Sequence, residues 1–210
     1  MSLADLDVRA LHDHALAQWN ERHGAALPPP PPAANPDEAE VDLESLVLRQ
    51  HFANFAIWRL EDEARRRDVG DEVIASVKRA IDPWNQHRND LMERIDAVVL
   101  SELGARSEGE LHSETAAMMV DRLSILALKI RNMERLSGDA QSDAELREEC
   151  AGRASILREQ RDDLAGCLKR LLEDFAAGRR HFKMYRQLKS YNDPRLNPRL
   201  RSLSLRGQSL

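Results

Sequence analysis

Only two cysteines, Cys150 and Cys167, occur in the 210 residues, and they form no CxxC pair. A disulfide framework and a zinc finger are both excluded on that ground. Aromatic residues are scarce, at 4%. Long apolar runs are missing as well: the stretch Ile125 to Ile130 is preceded by Asp121 and Arg122 and interrupted by Lys129, well short of the roughly 20 apolar residues of a membrane span. Residues 1–10 carry Asp5 and Asp7 and lack the basic start and apolar middle of a secretory signal, so a cytoplasmic protein is expected. There is no GxGxxG, no phosphate loop, no GxSxG, and neither HExxH nor ExxH among the seven histidines. Dinucleotide folds, nucleophile elbows, zincins and ferritin-like di-iron proteins lose their signatures with them.

What is present is ordinary globular material, 42% hydrophobic and 32% charged, enough for one domain with a small appendage. No segment alternates as a strand does, and the apolar residues recur at helical spacing. Residues 1–24 hold a short helix with Leu6, Ala10, Leu11 and Ala17 on one side. Residues 25–40 contain the run Pro28 to Pro32, which favours an extended spacer that tethers this helix. The bundle is expected over 41–200 and a flexible tail over 201–210. Within the bundle, helices are expected over 43–67, from Asp71 to Ile81, from Pro83 to Leu103 (fresh or kinked at the proline), over 118–133, from a Ser142/Glu145 capping box to Ala177, and from Arg179 to Ser190. The fold class is therefore all-α, a helical bundle of five or six helices.

The net charge of -5 hides an asymmetry, because nine Lys and Arg residues follow Gly178 against Asp193 alone. Such a tail can meet an acidic partner or dock on its own acidic body. Without interleaved aromatic residues it makes a poor base-stacking surface, so nucleic acid is not an expected partner.

Polar residues at core spacing are the candidates for a site. Glu61, Asp62 and Arg65 follow Trp58 by three, four and seven residues, and Asn85, Asn89, Glu93 and Asp96 line up beside Arg88. Arg122 and Lys129 are seven apart and share a column with Leu126 and Met133 in the most apolar helix, which points them inward or into a bundle groove. Buried charge must be paired. Glu61, Asp62, Glu93, Asp96 and Asp121 nearly balance Arg65, Arg88, Arg122 and Lys129, and this favours a self-neutralised polar core. The alternative is a pocket in which Glu61, Asp62, Glu93 and Asp96 hold Mg2+ or Mn2+ while the cations and asparagines take a phosphorylated substrate such as a nucleotide or nucleotide sugar. Glu93-x-x-Asp96 is an ExxD element, and the ExxE that would accompany it is broken by Ala64.

The strings Trp58-x-x-Glu61-Asp62-x-x-Arg65, Ile81-Asp82-x-x-Asn85-Gln86-x-Arg88-Asn89-Asp90-x-x-Glu93-x-Ile95-Asp96, Ser113-Glu114-Thr115, Asp121-Arg122-Leu123-Ser124, Glu159-Gln160-Arg161 and Tyr191-Asn192-Asp193-Pro194 resemble the bacterial domain of unknown function 4254 family over roughly residues 45 to 200. The resemblance implies a bacterial protein without an established activity, from a family often encoded near envelope glycosyltransferases. By association it points to surface-polysaccharide assembly. The leading expectation is a non-catalytic interaction or accessory module that self-associates as a homo-oligomer, with envelope glycosyltransferase machinery as a partner by the same association.

Overall fold

The computed structural model describes residues 2–23, 26–32, 41–104, 108–184 and 195–198, with only the backbone given for 20–23. Five helices make up the described fold: α1 (Val8–His23), α2 (Leu43–Glu63), α3 (Asp71–Leu103), α4 (Ala116–Ser137) and α5 (Ala144–Ala176). The all-α reading of the sequence is what is observed.

Local chemistry sets the helix ends. Asp42 accepts the Ser45 amide at 2.9 Å to start α2, and Thr115 accepts the Met118 amide to start α4. The cap of α5 is Asp143, which accepts the Leu146 amide at 2.7 Å, one residue beyond the Ser142 capping box that the spacing favours. Gly178, at φ 72°, ends α5 in the left-handed conformation that glycine adopts at least cost. Pro83 neither breaks α3 nor starts a new helix: it lies inside one continuous helix of 33 residues. Its ring is on the exposed side, while Ile81 and Trp84 on either side of it pack with Ala53, Ala56 and Leu60 of α2. Burial across the proline therefore holds the helix together despite the missing amide hydrogen.

Helices α2 and α3 form one antiparallel hairpin and α4 and α5 another, and α4 also packs on α1, α2 and α3. Its buried side carries Ala116, Ala117, Met119, Val120, Leu123, Ala127 and Ile130. Against it lie Leu46 and Val47 of α2, Leu91 and Ile95 of α3, and Leu164, Leu168 and Leu171 of α5.

The helix that the sequence places on a tether is packed into this bundle. Leu16 is 2% exposed and shares a cluster with Phe55, Ala127 and Leu128, and Leu3 and Val8 belong to the main core. Salt bridges Arg9–Asp162 and Arg161–Asp13, both 2.7 Å, tie α1 to α5.

The last helix expected, Arg179 to Ser190, does not begin as one. Arg180–His181 is instead a short strand, β2, parallel to β1 (Glu110–Leu111) in the loop before α4. Phe182 is buried and meets the Phe175 ring at 5.1 Å, a contact that an outward helical turn would forfeit. Residues 185–190 lie outside the described residues. At its start the basic tail docks on its own acids: Arg179 reaches Asp174 at 2.6 Å, and Arg180 lies 3.6 Å from Glu110 and 3.7 Å from Asp174. Arg186, Lys189, Arg199, Arg201 and Arg206 are outside the described residues.

Candidate functional site

The polar centre of the molecule is built by α2 and α4, which bring Gln50, His51 and Asn54 against Asp121 and Ser124, all buried. Asn54 donates to Asp121 at 2.8 Å and to Ser124 Oγ at 2.9 Å, and Gln50 donates to the same carboxylate oxygen. Arg88 of α3 adds its charge, with Nε 3.8 Å from Asp121. Burial raises the Asp121 pKa above the usual carboxylate value, while Arg88, Asn54 and Gln50 oppose the shift.

His51 closes the network. Its Nε2 is 3.2 Å from the His12 carbonyl, which can only accept, so Nε2 carries the proton and Nδ1 accepts from the Ser124 hydroxyl at 2.6 Å. Burial depresses the His51 pKa to about 3. The His12 ring stacks on it with centroids 4.1 Å apart. Burial, reinforced by His51 and Arg161, lowers the His12 pKa well below the ordinary histidine value. Ser124 and His51 thus resemble a nucleophile and its base in composition, but both are fully buried, and the imidazole is oriented by a backbone carbonyl. Their geometry serves packing. Sequence spacing alone passed over Gln50, His51, Asn54, Ser124 and His12. For α2 a signal was available, since Gln50, His51 and Asn54 fall within its apolar stripe, whereas nothing local marks His12 as their neighbour.

The eleven residues expected to form one polar pocket are distributed over separate places. Glu61, Asp62, Arg65 and Arg88 line a cavity of about 300 Å³ beside Trp58 and Ile125. Glu61 is held there by Lys78 at 2.9 Å and Arg65 at 3.0 Å. Asn89, Glu93 and Asp96 face a second, much smaller cavity of about 30 Å³. Asp96 is buried and accepts the Ala117 amide at 2.8 Å, which caps α4 from α3. Its pKa is pushed up to about 6, chiefly by burial. Asn85 donates to the Ile81 carbonyl at 3.3 Å within its own helix.

Arg122 and Lys129 are exposed, so of the two places that their column allowed, the interior is excluded and the groove is found. They line a groove of about 700 Å³ between α4 and α5, and Arg122 is paired with Glu114 at 2.8 Å. The seven-residue column is real, but it lies beside the buried one of Val120, Leu123, Ala127 and Ile130. Among the described residues no three His, Cys, Asp or Glu side chains come together in a way that could hold a metal ion. The four carboxylates considered for Mg2+ or Mn2+ sit two in each cavity.

Trp58 marks the open part of the molecule. It borders the cavity with Glu61, another with Arg59 and Arg131, and a third between α2, α4 and α5 with Met133, Ile156 and Leu157. Among the described residues no helix is long and apolar enough to cross a membrane.

No curated protein and no solved structure matches the chain. The sequence model of one family, described as "Protein of unknown function (DUF4254)", matches residues 44–184, from the first turn of α2 to the segment after β2, and leaves α1 outside. Matching well over half of the chain, it shows that this protein belongs to the DUF4254 family.

Proposed function

We propose that the protein is a non-catalytic helical interaction module that self-associates through the face of Trp58, Met133, Ile156 and Leu157, and that it acts as an accessory in envelope polysaccharide assembly. The observation that carries this reading is the exposed apolar ground between α2, α4 and α5. Ile156 is 58% exposed and, with Leu157, Met133 and Trp58, borders a cavity of about 370 Å³. Apolar surface gathered into one patch and rimmed by Lys129 and Arg153 is the pattern of a docking face. A second copy is the simplest occupant, because a two-fold interface applies the same patch to itself and asks no other chemistry of the partner. Arg153 is already neutralised by Glu149, so the self-contact does not oppose two unpaired arginines. The engaged polar groups favour the same reading, since buried Asp121 and Asp96, and Glu61 and Arg122 nearer the surface, each have partners within the protein. The envelope role and an envelope glycosyltransferase partner rest on the family resemblance alone.

Light scattering tests the first half. The parent protein should be a dimer or larger at micromolar concentration, and Ile156→Glu should be a monomer that keeps the helical circular dichroism spectrum and loses any dependence of its melting temperature on protein concentration. A parent that stays monomeric at high micromolar concentration would overturn the self-association. For the second half, loss of the protein from its native cell should change the electrophoretic profile of surface polysaccharide, with restoration by the parent and not by Ile156→Glu. An unchanged profile would refute the envelope role.

A further inference from the structure

Trp58 also borders a trough of about 610 Å³ between α1, α2 and α4, within the usual size of small-molecule sites. We propose that this trough binds a phosphate ester that carries a planar ring, with a nucleoside diphosphate as the representative ligand. Its floor is apolar: Leu16, Phe55 and Leu128 are all buried. Trp58 is half-buried and forms a wall, which gives a flat ring a surface to lie against.

The rim is cationic and underused. Arg131 and Arg135 are four residues apart on α4, and Arg59 belongs to α2, beside Trp58 in sequence. None of the three has a carboxylate within salt-bridge distance among the described residues. Arg135 donates to Asn132 at 3.2 Å, and the Arg59 guanidinium lies 5.7 Å from the centre of the Phe55 ring. Among the described residues the acids of the rim do not balance them: Glu134 is taken by Arg158 at 2.6 Å, which leaves Asp62. Like charges spaced i, i+4 on a helix repel, so the Arg131 and Arg135 pair costs stability that nothing in the described fold returns. An anion between them would relieve that repulsion, and the planar forks of arginine suit phosphate oxygens. The ligand class follows from the combination: the arginines ask for phosphate, and the apolar floor with Trp58 asks for a ring.

This site shares Trp58 with the self-association face, but Ile156 and Leu157 of that face lie outside its lining. Calorimetric titration of the full chain with adenosine diphosphate, and separately with pyrophosphate at the same ionic strength, tests it. Adenosine diphosphate should bind saturably and at least about tenfold more tightly than pyrophosphate, a difference of about 1.4 kcal/mol. The double variant Arg131→Gln with Arg135→Gln, both at exposed positions, should keep its circular dichroism spectrum and bind at least about tenfold more weakly than the parent. Trp58→Ala should reduce adenosine diphosphate to the affinity of pyrophosphate, and Ile156→Glu should bind as the parent does. No saturable binding by the parent, or unchanged affinity in the double arginine variant, would overturn the proposal. Equal affinity of the parent for both probes would overturn the role of the ring.

Discussion

Asp96 illustrates how a single residue carries opposing energies. Burial makes its ionised form costly, whereas the Ala117 amide and the Thr115 hydroxyl bond to it and favour ionisation. Burial prevails, and the folded-state pKa stands at about 6 against an ordinary 3.8. The unfolded chain thus holds its proton less tightly than the folded one, so this group penalises stability at neutral pH. The penalty is relieved as pH falls through 6 and is gone below 3.8. About two pKa units correspond to roughly 3 kcal/mol. An asparagine keeps the acceptor oxygen for Ala117 and never ionises. Asp96→Asn is therefore expected to be at least as stable as the parent in urea unfolding at pH 7, by up to about 3 kcal/mol, and to lose that advantage near pH 4. A variant weaker than the parent at pH 7 would mean that the negative charge at the start of α4 outweighs its burial.

At the scale of elements, the β1–β2 clasp depends on Gly109. Its φ is 84°, and a Cβ there would stand 2.5 Å from the backbone carbon and oxygen of Arg179. Gly109→Ala must both strain its own backbone and push away the segment that leads into β2. The strain alone costs on the order of 1–3 kcal/mol. The expected result is a lower melting temperature together with faster hydrogen exchange at the Glu110 and His112 amides, which donate to Arg179 and His181. Gly104 provides the control: its φ is 78° but nothing among the described residues lies within 4 Å of the added carbon, so Gly104→Ala should cost less and leave those amides protected. Equal effects of the two changes would show that the close approach at Arg179 is unimportant.

For the whole molecule, the question is whether α1 is an appendage or part of the bundle. Leu16 fills space between α2 and α4 beside Phe55, Ala127 and Leu128, and the His12 ring lies on His51. Truncating a buried leucine costs about 2–5 kcal/mol, through lost burial and the cavity left behind. Leu16→Ala should lower global stability by that amount in a single cooperative transition. A variant that unfolds like the parent would return α1 to the status of a tethered helix. The same change opens the floor of the trough, so it tests packing and not ligand binding.

Much of this architecture is readable in one dimension, because helices are built from contacts three and four residues apart. The apolar stripes of α2 and α5, the stop at Gly178 and the absence of strand alternation all rest on local chemistry, and the family follows from strings such as Trp58-x-x-Glu61-Asp62-x-x-Arg65. Spacing also establishes that Arg122 and Lys129 share a column. It does not say which column is covered, and only the packing of α2, α3 and α5 on α4 turns Val120, Leu123 and Ala127 inward and leaves the two cations outside. The tertiary structure likewise decided that Pro83 interrupts nothing, because burial of Ile81 and Trp84 against α2 outweighs one missing hydrogen bond. It placed His12 against His51 and Arg180 beside Glu110, pairs separated by 39 and 70 residues. Such pairs form only when whole elements dock, and no residue near either partner in the chain carries the information about where its mate will lie.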